Sequence, residues 1–314
     1  MVQPFKDLVD SRKQIPVFSD ESLEDLQRAG YRMIQKKQGF RFGTDSVLLA
    51  AYVAEYYKKT PDRTLKAADF CAGSGAVSLL LAARLKNADI TGFEIDPASC
   101  DVFKRNTRLN KIENKINIQQ ADLRTFFDPK KQSGGSEKNE ICFEQAFDLI
   151  ICNPPYQKPE RNYGFKHRND SDNAQFMQED QMRIACWEKQ LPLDDLLKAA
   201  AFALKQSGLL FMVHRAHRLP EVIDGLHKHH FAPVNLRMVQ SFSGRSPSVF
   251  LIAARYRGKA GGFRVEPVFV LYETPDCLSH EAALWYGHET PLSDTALWQN
   301  VRKIEKLSTT ERLS

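Results

Sequence analysis

Short apolar runs recur along the chain, each closed by a glycine, a carboxylate or an asparagine and followed by a longer amphipathic stretch. Residues 66–70 predict a first central strand, Gly73 and Gly75 a turn, and 76–85 a helix. A second strand is predicted over 89–94, then a helix from Pro97 to Leu109, with the proline suited to its first turn. Residues 116–119 predict a third strand ending near Asp122, and Phe147 to Cys152 a buried fourth. A helix over 194–205 and a strand over 208–213 follow. A helix over 218–228 and strands over 236–240 and 249–255 complete the pattern, the last two flanking a Gly-Arg-Ser-Pro loop. Strands alternating with helices predict an α/β protein with a mostly parallel sheet covered on both faces.

Outside this alternation the pattern weakens. Residues 1–38 are polar and broken, with one short helix expected around Leu23 to Arg28. A helix over 46–57 is expected to start at Asp45 as its N-cap. Residues 128–140 read as a polar surface insertion, and 157–190 as a charged, Asn-rich flap over the site. A last apolar run, Pro267 to Tyr272, suits an edge strand, where a leading proline is tolerated. The expected organisation is an N-terminal segment over 1–40, a main domain over 41–256 and a C-terminal extension over 257–314. No internal repeat is visible.

Composition narrows the class. With 314 residues, 42% of them hydrophobic and 10% aromatic, the chain can bury one large core and is not a disordered segment. A net charge of +5 permits a nucleic-acid partner without requiring one. The cysteines at 71, 100, 142, 152, 186 and 277 contain no CxxC spacing. With no basic-then-apolar leader, they read as reduced thiols of a cytoplasmic protein. No apolar run approaches the roughly 18 residues needed to span a bilayer. His227, His229 and His230 lack a further ligand context, so no metal is expected.

Two motifs carry chemistry. The first is Asp69-Phe-Cys-Ala72-Gly73-Ser-Gly75, a turn between strand and helix at the edge where open sheets bind ligands. Its glycines allow close backbone approach, and the following helix turns free N–H groups toward the ligand. Asp69 suits the ammonium group of S-adenosylmethionine, Glu94 the two ribose hydroxyls, and Asp122 the adenine amino group. The spacing from the glycine turn to Glu94 also fits a nicotinamide dinucleotide, but the third glycine of that fingerprint is absent. Asp122 equally suits a loop cap.

The second motif is Asn153-Pro154-Pro155-Tyr156, directly after the fourth strand. The Asn153 side-chain oxygen and the Pro154 carbonyl can accept the two hydrogens of a planar NH2 group. Charge developing on that weakly nucleophilic nitrogen is thereby favoured as it attacks a methyl carbon. Tyr156 would stack on the substrate plane, a contact worth about 1–3 kcal/mol for a base. The same tetrapeptide also serves as an ordinary strand-ending turn.

These motifs, with Phe42-Gly43-Thr44-Asp45-Ser46-Val47-Leu48-Leu49, Gly92 to Asp96 and Gln120 to Asp122, resemble class I amino-methyltransferases. Within that group the chain is most similar to bacterial tRNA enzymes that form N6-methyladenosine in a valine tRNA. The resemblance spans residues 40–157 and continues weakly to about 256. It implies a Rossmann-like sheet of seven strands, the last antiparallel, and S-adenosyl-L-methionine as cofactor. It implies Asn153, Pro154, Pro155 and Tyr156 as the catalytic set. It implies cofactor contacts from Gly43, Thr44, Asp69, Ala72, Gly73, Gly75, Glu94, Asp122 and Asn153, with Gly43 to Asp45 as a lid. The implied partner is RNA, tRNA foremost, and the expected state is a monomer.

Two departures bear on the substrate. The relatives are usually shorter, and their compact basic segment after the tetrapeptide is replaced here by a long insertion ending in Arg183 to Glu188. Release-factor glutamine methyltransferases share the tetrapeptide but carry a helical domain ahead of the glycine turn, for which 68 residues leave little room. DNA adenine and ribosomal RNA adenine stay open as substrates, and a non-catalytic RNA-binding protein on the same fold is a further alternative. Lys36, Lys37, Arg41, Lys158, Arg161, Lys166, His167, Arg168, His214, Arg215, His217 and Arg218 would form a phosphate-binding rim if they flank one mouth.

Overall fold

The computed structural model describes residues 15–37, 43–58, 64–126, 143–154, 191–259 and 262–288. A hairpin of β1 (Glu21–Asp25) and β2 (Arg32–Lys36) precedes α1 (Thr44–Tyr57). The central run is β3 (Leu65–Phe70), α2 (Ala76–Ala82), β4 (Ala88–Glu94), α3 (Pro97–Asn110), β5 (Ile116–Gln120) and β6 (Phe147–Cys152). It continues through α4 (Leu193–Ala203), β7 (Leu204–Arg215), α5 (Leu219–Lys228), β8 (Phe231–Phe242) and β9 (Val249–Tyr256). The described chain ends with β10 (Arg264–Val265), β11 (Phe269–Thr274), β12 (Cys277–Leu278) and α6 (His280–Tyr286).

One sheet runs β5-β4-β3-β6-β7-β9-β8-β11-β12, with β10 also on β8. The strands from β5 to β7 are parallel, and β9 lies antiparallel between β7 and β8. The expected seven-stranded sheet is therefore corrected to one of ten strands among the described residues. The reason is the outer edge of β8, whose backbone groups would otherwise face solvent unpaired. Residues 264–265 pair with its first half and β11 with its second, both parallel to it.

Apolar burial on both faces explains the strand sequences. Leu149 and Ile151 of β6 join the core beneath α1, α2 and α6, whereas Ile150 and Cys152 join the core beneath α4 and α5. Helix α1 is buried without interruption from Ser46 to Val53, so it is apolar nearly all round rather than striped. Behind the carboxyl ends of β3 and β4, Phe70, Phe93 and Phe126 pack edge to face, with centroids 5.0–5.6 Å apart. That aromatic wedge fixes the strand ends that form the site.

The N-terminal region departs from expectation. The helix expected around Leu23 to Arg28 is instead the hairpin, with Leu23 opposite Ile34. Its apolar spacing suits either element, and docking on α3 decides. Glu21, fully buried, receives two hydrogen bonds from Arg105 of α3, at 2.6 and 2.7 Å. Helix α1 also starts earlier than expected: Gly43 is its N-cap and Asp45 lies inside its first turn.

Candidate active site

The site lies where β3, β4, β5 and β6 end together. After Phe70 the chain turns through Cys71, Gly73 and Gly75, with φ of +60°, +56° and +92°. Gly75 has no alternative, because a Cβ there would stand 2.1 Å from the Phe103 ring of α3. Gly92 of β4 meets the same ring, at 2.3 Å. The aromatic face of α3 thus lies directly on both backbones. Gly73 differs: a Cβ there would meet nothing within 4 Å, so this part of the turn borders open space. Asn106 of α3 steadies the turn by donating to the Ser74 carbonyl at 2.9 Å.

Three predicted carboxylates surround the turn. Asp69 is buried and accepts from the Ser78 backbone N–H at 3.1 Å and the Ser78 hydroxyl at 2.7 Å. Burial pushes its carboxyl up to about 7 despite those two bonds, and the Glu94 charge adds to the rise. Glu94 accepts from Gly73 N–H at 2.8 Å and from the N–H groups of Ile95 and Asp96 at 2.9 Å each. It is therefore bonded directly to the glycine turn, and burial raises it above the usual carboxylate range. Two neighbouring buried acids, both pushed toward protonation, make an environment that favours a cationic ligand. Ile95, an exposed apolar side chain directly after Glu94, offers a greasy surface beside them.

Asp122 caps the short 3-10 turn Leu123–Thr125 and holds Arg124 through both oxygens, at 2.6–3.1 Å. The Arg124 bonds keep its carboxyl below the usual range. Ala72, buried, lies within the turn, its N–H donating to the Phe93 carbonyl at 3.0 Å.

Asn153 leaves the end of β6. Its Nδ2 donates to the Ser46 hydroxyl of α1 at 3.3 Å, and its Oδ1 is buried with no hydrogen-bond partner among the described residues. Pro154, also buried, follows it without a backbone N–H. Thr44, at the start of α1, accepts from the Tyr286 hydroxyl at 3.1 Å. Between Thr44 and Ser46, the Asp45 carboxyl is raised by burial and opposed by the nearby Arg215 charge at the end of β7. Pro155 and Tyr156 lie outside the described residues.

Ser46, Ser78, Asn106 and Tyr286 were not singled out by sequence reasoning. Ser46 had a readable signal, since it follows Gly43-Thr44-Asp45. Ser78, Asn106 and Tyr286 had none, because their partners are distant in sequence or are backbone atoms.

Among the described residues of the expected basic rim, Lys36, Lys37 and Arg218 are engaged within the protein. Lys36 pairs with Asp20 and Glu21 at 2.8 and 3.0 Å, and Lys37 donates to the Ser19 carbonyl at 2.9 Å. Arg218 is buried and forks onto Glu221. Burial pulls His214 down to about 3, so it is neutral. Arg41, Lys158, Arg161, Lys166, His167 and Arg168 lie outside the described residues, as do Cys142 and Cys186. His229 bonds Asp194 at 2.8 Å, and among the described residues no metal-ligating cluster occurs. Among them, no helix is long and apolar enough to cross a membrane.

Residues 57–136, less than half of the chain, match the TRM5/TYW2 methyltransferase domain. They contain the glycine turn, Asp69, Glu94 and Asp122, and stop short of Asn153. A protein of Porphyromonas gingivalis W83 named tRNA1(Val) (adenine(37)-N6)-methyltransferase is 28% identical over 183 residues. That match covers 58% of this chain and 61% of the relative, less than two thirds of its length. A protein of the same name from Shewanella baltica OS155 is 31% identical over 118 residues, or 38% of this chain and 42% of that one. Among solved structures, a predicted O-methyltransferase from Agrobacterium tumefaciens superposes with a TM-score of 0.52 at 19% identity. It covers 83% of this chain and 96% of that one, a likeness of fold. The fold is the α/β Rossmann-like fold of class I, S-adenosylmethionine-binding methyltransferases, with a large mixed sheet.

Proposed function

We propose that this chain transfers a methyl group from S-adenosyl-L-methionine to the exocyclic N6 amine of an adenine in RNA, most readily a tRNA. The observation that carries the reading is the Asn153 side-chain oxygen, buried where β6 ends and without a hydrogen-bond partner among the described residues. A buried acceptor left without a donor loses about 1–3 kcal/mol, and an incoming N–H recovers it. The Ser46 hydroxyl accepts from the nitrogen of the same amide.

The residues present fit the cofactor. Gly73 leaves room for close approach, Asp69 and Glu94 favour positive charge, and the Ile95 side chain suits one face of an adenine ring. When bound, S-adenosylmethionine supplies an activated methyl carbon. Asn153 and the Pro154 carbonyl orient the amine and accept its hydrogens, drawing electron density onto nitrogen. The stiff Asn-Pro backbone keeps both acceptors in register. Adenine in tRNA is favoured as substrate by the names of the Porphyromonas and Shewanella relatives.

The test is transfer of isotope-labelled methyl to total tRNA, followed by nucleoside mass spectrometry. Label on adenine N6 is expected. Asn153→Ala should lower turnover by about 100-fold or more, the range of losing one preorganised transition-state contact, with cofactor affinity nearly unchanged. Label found only on a glutamine side chain, or no transfer with intact cofactor binding, would reject the reading.

A further inference from the structure

The C-terminal helix touches the proposed site. Tyr286 is the last residue of α6, and its hydroxyl donates to Thr44 Oγ1 at 3.1 Å, across 242 positions of sequence. Thr44 opens α1, and two residues later Ser46 meets the Asn153 amide at 3.3 Å. A continuous path therefore runs from α6 through the first turn of α1 to the Asn153 side-chain amide.

Helix α6 is strongly fixed. Its first turn is capped by the Ser279 hydroxyl, which accepts from Ala282 N–H at 3.1 Å. Arg237 of β8 forks onto Glu281 with two contacts of 2.7 Å and lies over the Phe269 and Trp285 rings at 5.0 and 5.3 Å. The last carbonyls of α6 are held by arginines from two other elements. Arg84, just after α2, donates to the Trp285 carbonyl at 2.5 Å, and Arg28 of the hairpin turn donates to the Leu284 carbonyl. Cations at the carbonyl end of a helix are favourably placed. These contacts hold the backbone from which Tyr286 projects.

We propose that Tyr286 is a positioning residue for methyl transfer: through Thr44 it fixes the first turn of α1, and so the Ser46 hydroxyl that orients Asn153. The inference rests on the reading of Asn153 given above. It makes the segment 264–286 part of the working site as well as of the sheet.

Tyr286→Phe removes one hydroxyl and keeps the ring. In the full chain, with S-adenosylmethionine and tRNA as substrates, kcat is expected to fall about tenfold, the scale of one lost hydrogen bond. Cofactor Kd, KM for tRNA and the thermal midpoint should stay within error. Thr44→Val should give a similar fall, Thr44→Ser should retain most of the rate, and the double Tyr286→Phe/Thr44→Val variant should be no worse than either single change. An unchanged rate in Tyr286→Phe, additive losses, or a rate lost only in step with unfolding would overturn the proposal. If the unaltered chain methylates no tRNA, the functional reading fails separately. Hydrogen exchange then decides: Tyr286→Phe must speed exchange across residues 44–53, and equal exchange overturns the link.

Discussion

Asn106 pairs with Ile34 as one strand residue pairs with another: its Oδ1 accepts the Ile34 N–H at 2.6 Å and its Nδ2 donates to the Ile34 carbonyl at 2.9 Å. One helical turn later Asn110 repeats the pattern with Arg32, at 2.8 and 2.7 Å. The two side-chain amides of α3 thus serve alternate residues along β2. Because Asn106 also holds Ser74, hairpin and glycine turn share one side chain. Asn106→Leu should destabilise the chain by about 2–4 kcal/mol, since buried backbone groups lose their partners. It should also weaken cofactor binding. Asn110→Ala, at a less buried position, should lose about 1 kcal/mol. Urea unfolding and calorimetry check both.

The glycines should separate stability from binding. Gly92→Ala and Gly75→Ala drive a methyl group into the Phe103 ring and should each lower stability by about 2–4 kcal/mol, Gly75 suffering its positive φ as well. Gly73→Ala meets no atom, so its stability loss should stay near 1 kcal/mol, the strain of a left-handed alanine. Its methyl enters the open side of the turn, however, and cofactor affinity should drop about tenfold or more for a blocked close approach. A cofactor affinity unchanged in Gly73→Ala would move the ligand away from this turn.

Asp69 gives a pH signature with a definite sign. Burial lifts its carboxyl from an ordinary 3.8 to about 7, so the folded chain keeps a proton that the unfolded chain releases. The stability contributed by this group is therefore full below about pH 3.8 and is lost as pH rises through about 7. Asp69→Asn should flatten that part of the stability curve. A cationic cofactor favours the ionised acid, so its binding should release a proton and weaken as pH falls below about 7. Calorimetry in buffers of different ionisation enthalpy measures the proton. The asparagine variant should show none.

The buried Glu21–Arg105 pair is a one-sided risk. Burial alone would raise Glu21, but the Arg105 bonds hold it below its usual range. Arg105→Ala would strand that carboxylate and should destabilise by about 3–5 kcal/mol. The apolar double change Glu21→Leu/Arg105→Met should recover much of the loss. Chemical denaturation of the two variants tests this, and equal damage in the single and the double variant would refute it.

The central alternation was legible because each strand from β3 to β6 is short and closed by a residue with a distinct job, whereas β7 and β8, of 12 residues each, run beyond the expected 208–213 and 236–240 at both ends. Strand β6 falls on the expected residues, Phe147–Cys152, and α3 ends one residue beyond the expected Leu109, at Asn110. The glycine turn was readable for the same reason: only glycine fits against Phe103 at position 75. The hairpin was not, because Leu23 and Leu26 recur at helical spacing and only tertiary contacts with Arg105 and Asn106 select the strand. Asp45 looked like a cap, yet Gly43 occupies that position and Asp45 faces Arg215. The internal partners of Lys36, Lys37 and Arg218 could not be read, because a charge in sequence carries no record of its partner. Nor could Tyr286 be foreseen, since nothing near it in the chain resembles the motif it touches.

The late placement of β10, β11 and α6 has a consequence for biosynthesis. A ribosome releases residues 15–259 before it releases the strands that cover β8, so the nascent protein passes through a stage with a naked sheet margin. During that interval Arg28 and Arg84 have no helix end to grip, and the apolar faces later hidden by Trp285 and Phe269 are available to neighbouring chains. Stalled or prematurely terminated translation near residue 260 would therefore yield an aggregation-prone fragment.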